Sequence, residues 1–249
     1  MLTATLIRKL VREMRANWLQ YVAMAAVVAS ALTVFIALQT AYASLTASRD
    51  RYYERTRMPD AFVHLEKAPE TALHEVQALP GVWRARGRIV KDVSVDVPGC
   101  ERPGDGDADT GGTVGRIISM PGQREGLISD IYVVQGTWFP GAADEGIIVN
   151  ERFFEANGLK IGDTIEATIN ERREDLRIVG TCYSPEYVYP IRTGQQIAPD
   201  DRNFAIIFAR REFVEDAFSM GSSFNDLVAV LRPGANVDAL KAVSLKVWQ

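Results

Sequence analysis

The strongest constraint in this sequence is a long stretch without charge: between Ala16 and Ser48 there is no Asp, Glu, Lys or Arg. Residues 18–42 within it are mainly Ala, Val, Leu, Ile, Met and Phe. About 20 apolar residues, rising about 1.5 Å each, cross a hydrocarbon core of about 30 Å. The run exceeds that length and predicts one transmembrane helix over 18–42. Whatever else the chain builds must hang from that helix.

The flanks give the orientation. Arg8, Lys9, Arg12 and Arg15 against Glu13 leave +3 before the span, and the whole chain carries −4, so the remainder carries −7. Basic residues beside a first helix stay on the cytoplasmic side. The N-terminus is therefore expected inside and the bulk of the chain outside, with the lipid bilayer as a partner. Trp18, Tyr21 and Tyr42 fall at the span's boundaries, where amphipathic rings favour the headgroup region. An acidic remainder offers no basic patch, which argues against nucleic acid. A cleaved signal peptide competes, because Ala41, Tyr42 and Ala43 resemble a cleavage site. The basic region and the apolar run are both longer than a secretory signal uses, and they favour an uncleaved anchor.

With hydrophobic residues at 47% and charged residues at 24%, the part beyond the anchor can build a packed core. Residues 1–17 read as an amphipathic helix on the inner surface, with Leu2, Leu6, Leu10 and Met14 on one side. Residues 43–57 continue the membrane helix as a solvated stalk carrying Arg49, Asp50, Arg51, Glu54, Arg55 and Arg57, ended by Met58 and Pro59. A strand over 61–65 follows, then a helix over 69–79 with Leu73, Val76 and Leu79 on one face, and one or two strands over 82–97. Pro, Gly and Asp make 98–112 a loop. Strands are expected over 113–119, 132–134 and 146–149. A helix over 151–157 is capped by Asn150 and stopped by Gly158. Strands 164–170 and 176–180 form an antiparallel pair around a charged turn at 171–174. After a proline-bracketed segment at 184–190 come a strand over 204–209, a helix over 211–220, a strand over 226–231 and a last amphipathic helix from Val237. The fold class is α+β: one N-terminal transmembrane helix, then a mixed extracytoplasmic domain over 58–249. That domain is read as a β-α-β-rich subdomain, from 58–100 with 200–249, and a β-rich subdomain over 101–199.

Chemistry is sparse. Asp105, Asp107 and Asp109 alternate, but a calcium loop of that register needs glycine and glutamate where Thr110 and Arg116 stand; a solvated loop accounts for them. His64 and His74 have no paired ligand spacing, and Cys100 and Cys182 are too few for a structural zinc site. Whether the two cysteines pair stays open. No phosphate loop or nucleophile elbow occurs, so neither an enzyme nor a cofactor site is expected. Tyr183, Pro185, Tyr187 and Tyr189 are different: three tyrosines in an irregular segment either cover the edge of the β-domain or meet a partner.

Residues 133–180 go beyond generic pattern. Gly136, Trp138 and Phe139 are followed by Val149, Asn150 and Phe153, then by Gly158, Leu159, Gly162, Asp163 and Thr164, and finally by Val179 and Gly180. This order resembles the extracytoplasmic core domain of MacB/FtsX-type ABC transporter permeases, and residues 184–187 look like the segment that follows it. The basic N-terminus and single anchor match that family's arrangement. The resemblance implies a permease in the cytoplasmic membrane of a prokaryote, acting as a dimer with a separate cytoplasmic ABC ATPase. Its outer domain would carry ATP-driven motion to export, lipoprotein release or an envelope partner. Such permeases continue with further membrane helices that reach the ATPase, so the chain to Gln249 is expected to be part of a longer permease or a truncated product. A stand-alone anchored sensor or ligand-binding module is the alternative. Gly136, Gly158, Gly162, Asp163, Thr164 and Gly180 serve turns, and Trp138 and Phe139 supply buried area, so all are expected to form the fold rather than catalyse.

Overall fold

The computed structural model describes residues 2–98, 113–124, 126–139, 146–191 and 199–235, with side chains from residue 6 onward. Cys100, the loop bearing Asp105, Asp107 and Asp109, and the helix expected from Val237 lie outside the described residues. The chain divides into two units, Met1–Tyr52 and Tyr53–Gln249.

The first unit is helical. Helix α1 (Leu2–Ala16) ends at Asn17, and α2 (Trp18–Thr56) begins at once. The apolar part of α2 is the one segment among the described residues long and apolar enough to cross a membrane. Leu19, Val27, Phe35 and Leu38 are all exposed along it. So long an apolar surface is stable in hydrocarbon rather than in water. The expected span and stalk are thus one unbroken helix, and its last turn belongs to the second unit. There the Met58 N–H donates to the Tyr53 carbonyl at 3.0 Å and the Arg57 N–H to the Glu54 carbonyl at 3.2 Å. Arg57 sits at φ 50°. This is a Schellman end, with the left-handed residue just outside the helix, and Pro59 only follows it.

The second unit holds two sheets. Strands β1 (Ala61–Pro69), β2 (Val82–Arg88) and β10 (Ser223–Leu231) form a small antiparallel sheet in the order β1-β10-β2. Helix α3 (Glu70–Gln77) covers one face through Val76, which packs with Val63, Ala85, Phe224 and Leu227. Gly87 lies under the Phe224 ring, where a Cβ would come within 2.7 Å of it.

The larger sheet contains β3 (Val90–Asp96), β4 (Val114–Met120), β5 (Tyr132–Gly136), β6 (Ile147–Asn150), β7 (Thr164–Ile169), β8 (Arg172–Tyr183) and β9 (Phe204–Arg210). Its order is β5-β8-β6-β9-β4-β3-β7, and β8 also pairs with β7. The second pairing closes β3, β4, β9, β6, β8 and β7 into a barrel and leaves β5 outside, beside β8. Every barrel strand contributes to one core: Val95, Ile117, Ile207, Val149, Ile178 and Ile165 meet in it, with Phe153 of helix α4 (Glu151–Ala156) and Val214 of helix α5 (Arg211–Ala217). A second core lies on the outer face. There Ile118, Ile148, Val179 and, from β9, Phe204 and Phe208 pack under Leu127, Ile131 and Phe139.

Several expectations need correction. The division at residues 100 and 200 does not follow the sheets, because β3, β9 and α5 belong to the barrel and only β1, α3, β2 and β10 form the smaller body. The charged turn is tighter than the expected 171–174. Asn170 and Glu171, at φ 46° and 64°, make a two-residue turn and β8 starts at Arg172. Asn150 stands at the α4 N-cap without capping it. Its Oδ1 instead accepts the Ile206 N–H of the neighbouring strand β9 at 2.9 Å.

Candidate functional site

The alternation of β2 builds the site. Register places Arg84, Arg86 and Arg88 opposite Val230, Val228 and Asp226 of β10, with Phe62 and His64 of β1 beyond them. Paired residues share a face. The small sheet is therefore apolar toward α3 and carries three arginines on the other side, which meets the segments 120–131 and 184–187.

Arg88 is the hub. Its two terminal nitrogens donate to the two Glu186 oxygens at 2.7 Å each, and its Nε donates to Asp226. The side chains of Arg88, Glu186 and Asp226 are 3%, 6% and 1% exposed, so this is a buried ionic cluster. His64 Nδ1 lies against the other Asp226 oxygen from the solvent side. Burial lowers the Arg88 proton affinity, but Glu186 and then Asp226 outweigh it and hold the guanidinium above its usual range. Breaking such a pair by removing one partner costs about 3–5 kcal/mol, because a buried charge is left behind. Arg86, on the same face, has no such partner among the described residues. Its Nη1 points to the Met120 sulfur at 3.5 Å, while Nε and Nη2 are buried without an acceptor there. Burial, reinforced by the neighbouring Arg88 charge, pulls Arg86 down to about 9. Arg84 donates to the Gly126 carbonyl at 3.1 Å.

The cluster reaches the end of α2 through Ser129, whose hydroxyl donates to Glu186. The Ser129 N–H donates to the Arg57 carbonyl at 3.0 Å, and the Asp130 N–H to the Thr56 carbonyl at 2.8 Å. Ser129 and Arg57 both take left-handed backbone, at φ 55° and 50°, which strains residues with a Cβ. Arg55 lies over the Tyr132 ring at 5.9 Å. The last turn of α2, Ser129, Glu186, Arg88 and Asp226 thus form one continuous polar chain into the small sheet. Two further bridges join small sheet to barrel. Asn225 exchanges two 2.8 Å hydrogen bonds with the Val90 backbone, and Arg211 of α5 donates to Glu70 and, at 3.3 Å, to the Gly87 carbonyl.

Of the residues singled out in the sequence, Trp138, Phe139 and Tyr187 come together beneath this chain, in the outer core with Leu127 and Ile131. Trp138 Nε1 donates to the Gly122 carbonyl at 3.1 Å, and Arg124 stacks on its ring. Gly136 and Gly180 mark the crossing of β5 and β8. Gly136 has φ 75°, and a Cβ there would lie 2.1 Å from the Val179 carbonyl oxygen. Gly158, Gly162, Asp163 and Thr164 form the turn from α4 into β7, where Asp163 Oδ2 accepts the Lys160 N–H at 2.8 Å. The tyrosine segment divides. Pro185 is buried and Tyr187 packs inward, with burial the main cause of its rise to about 12. Tyr183 and Tyr189 remain 47% and 66% exposed. Arg84, Arg86, Arg88, Ser129, Glu186 and Asp226 were not singled out. The visible signal was three arginines at two-residue spacing, separated by Ala85 and Gly87, inside an apparent strand.

No protein-family description matches this sequence, and no curated protein does. Among solved structures, it is similar to the periplasmic region of MacB from Actinobacillus actinomycetemcomitans, with TM-score 0.41, 11% identity and 70% of each chain covered. It is also similar to the extracellular domain of the noncanonic ABC-type transporter YknZ from Gram-positive bacteria. There the TM-score is 0.43, identity is 10%, and 73% of this chain and 86% of that one are covered.

Proposed function

We propose that this chain is the anchor and extracytoplasmic domain of a MacB/FtsX-type ABC transporter permease. In this reading the domain carries motion, generated by a separate cytoplasmic ATPase, to work outside the membrane. The observation that carries the proposal is the continuity of α2. One helix of 39 residues, about 58 Å at 1.5 Å per residue, begins in the apolar span and ends hydrogen-bonded into the domain. A helix without a break transmits displacement along its axis, and the carbonyls of its last residue, Thr56, and of Arg57 just beyond it are held by Asp130 and Ser129. The family-like order of residues from Gly136 to Gly180 supports the same reading, as does the basic flank before the span. Export, lipoprotein release and control of an envelope enzyme are the tasks open to such a domain.

The test is to read the source gene past codon 249 and its neighbourhood. Further apolar spans in frame, beside a gene for an ABC ATPase, are the expected result. A stop codon followed by unrelated sequence would overturn the transport reading and favour an anchored binding module.

A further inference from the structure

Orientation across a membrane asks for basic residues before the span, but not for any arrangement of them. Helix α1 nevertheless arranges them. At about 100° per residue, Arg8, Lys9, Arg12 and Arg15 fall within about 120° of its circumference. Leu6, Ile7, Leu10, Val11 and Met14 fill the opposite side, and all five are exposed. Glu13, the one acid, lies at the border between the two arcs, beside Lys9 and Leu6. Asn17 alone separates this helix from α2. Its N–H donates back to the Glu13 carbonyl at 3.0 Å, and its carbonyl accepts the Gln20 N–H at 3.0 Å, so it closes one helix and opens the next. Because the next residue starts the spanning helix, α1 stays within its own length, about 22 Å, of the bilayer surface.

We infer that α1 is a binding surface for anionic lipid headgroups, in the leaflet where α2 begins. The apolar arc enters at the boundary of the acyl chains, and the basic arc stays level with the headgroups. The two arcs do different work. A zwitterionic surface offers the same hydrocarbon to Leu6, Leu10 and Met14 but no net charge to the four cations. Each basic residue close to an anionic surface favours binding by about fivefold. The net +3 of the segment then favours an anionic over a neutral surface by about 100-fold. Seated in this way, α1 runs along the membrane and fixes the depth of Trp18, the first residue of α2.

The experiment uses the purified full chain in lipid nanodiscs, spin-labelled at Leu10→Cys on the apolar arc, with Cys100→Ser. Cys182 is buried and takes no label. Power saturation with oxygen and with a water-soluble nickel chelate reads whether the label lies in hydrocarbon or in water. Discs of phosphatidylcholine alone are compared, at low salt, with discs that also contain phosphatidylglycerol. Accessibility to nickel should fall several-fold when the anionic lipid is present. High salt should reverse the fall, because it screens exposed charges. Ile7→Arg combined with Arg8→Ile keeps the net charge and the composition but sets a cation in the apolar arc, and this variant should lose the shielding. Equal shielding in both lipids would overturn headgroup recognition, since the apolar arc would then suffice. Exposure to nickel in both would overturn the lipid surface itself and favour a protein partner for the arc. Shielding that survives the exchange of residues 7 and 8 would also overturn the inference, because the arrangement would then be immaterial. The measurement needs no ATPase, so each of these failures would leave the transport reading untouched.

Discussion

At the scale of single residues, two glycines that look alike in the sequence do different work. Gly136 and Gly162 both have positive φ, 75° and 97°. A Cβ on Gly162 meets open space, whereas one on Gly136 would collide with the Val179 carbonyl. Gly162→Ala should therefore cost about 1–2 kcal/mol, the strain of a left-handed residue alone. Gly136→Ala should cost clearly more, or prevent β5 from pairing with β8. Urea denaturation of the two variants side by side measures the difference. Tyr187 gives a pH test. Its hydroxyl is raised from 10 to about 12, mainly by burial, with Arg88 opposing and Glu186 adding to the rise. The unfolded chain then releases this proton first as pH increases. Stability from Tyr187 is complete below about pH 10 and is lost as pH rises through about 12. Thermal melts between pH 9 and 12 should fall more steeply in the parent than in Tyr187→Phe. Equal slopes would mean the hydroxyl is not held in a buried setting.

Among the elements, local signals set what forms and tertiary partners set where it ends. The apolar run, the strand character of β9 and the apolar face of α3 were all legible. Boundaries moved where a partner decided them. Asn150 had the look of a helix cap, yet its side chain bonds across to Ile206, because a buried backbone N–H in β9 needed an acceptor. Helix α4 is short, and it owes its stability to Phe153 in the barrel core rather than to propensity. Phe153→Ala should cost about 3–5 kcal/mol, a large part of a typical domain's margin. Chemical denaturation of the full chain checks this. A loss below about 1 kcal/mol would mean that the barrel core closes over the gap easily.

For the molecule as a whole, the basic flank before α2 fixes the expected orientation. A reporter enzyme active only outside the cytoplasm, fused after Ala235, should be active. The same reporter fused before Met1 should be silent, and the reverse pattern would sink the assignment.

Local sequence was enough to specify the apolar anchor, the α+β character and most strands. Each depends on composition or on a period of two or about 3.6 residues, which survives in one dimension. Folding in three dimensions was needed to bring β3 and β9 into the barrel, to close it through β7 and β8, and to set Arg88 against Glu186 across 98 residues of chain. Those outcomes depend on which surfaces meet. Burial makes an arginine facing a carboxylate far more favourable than one facing apolar side chains, and no local pattern distinguishes the two.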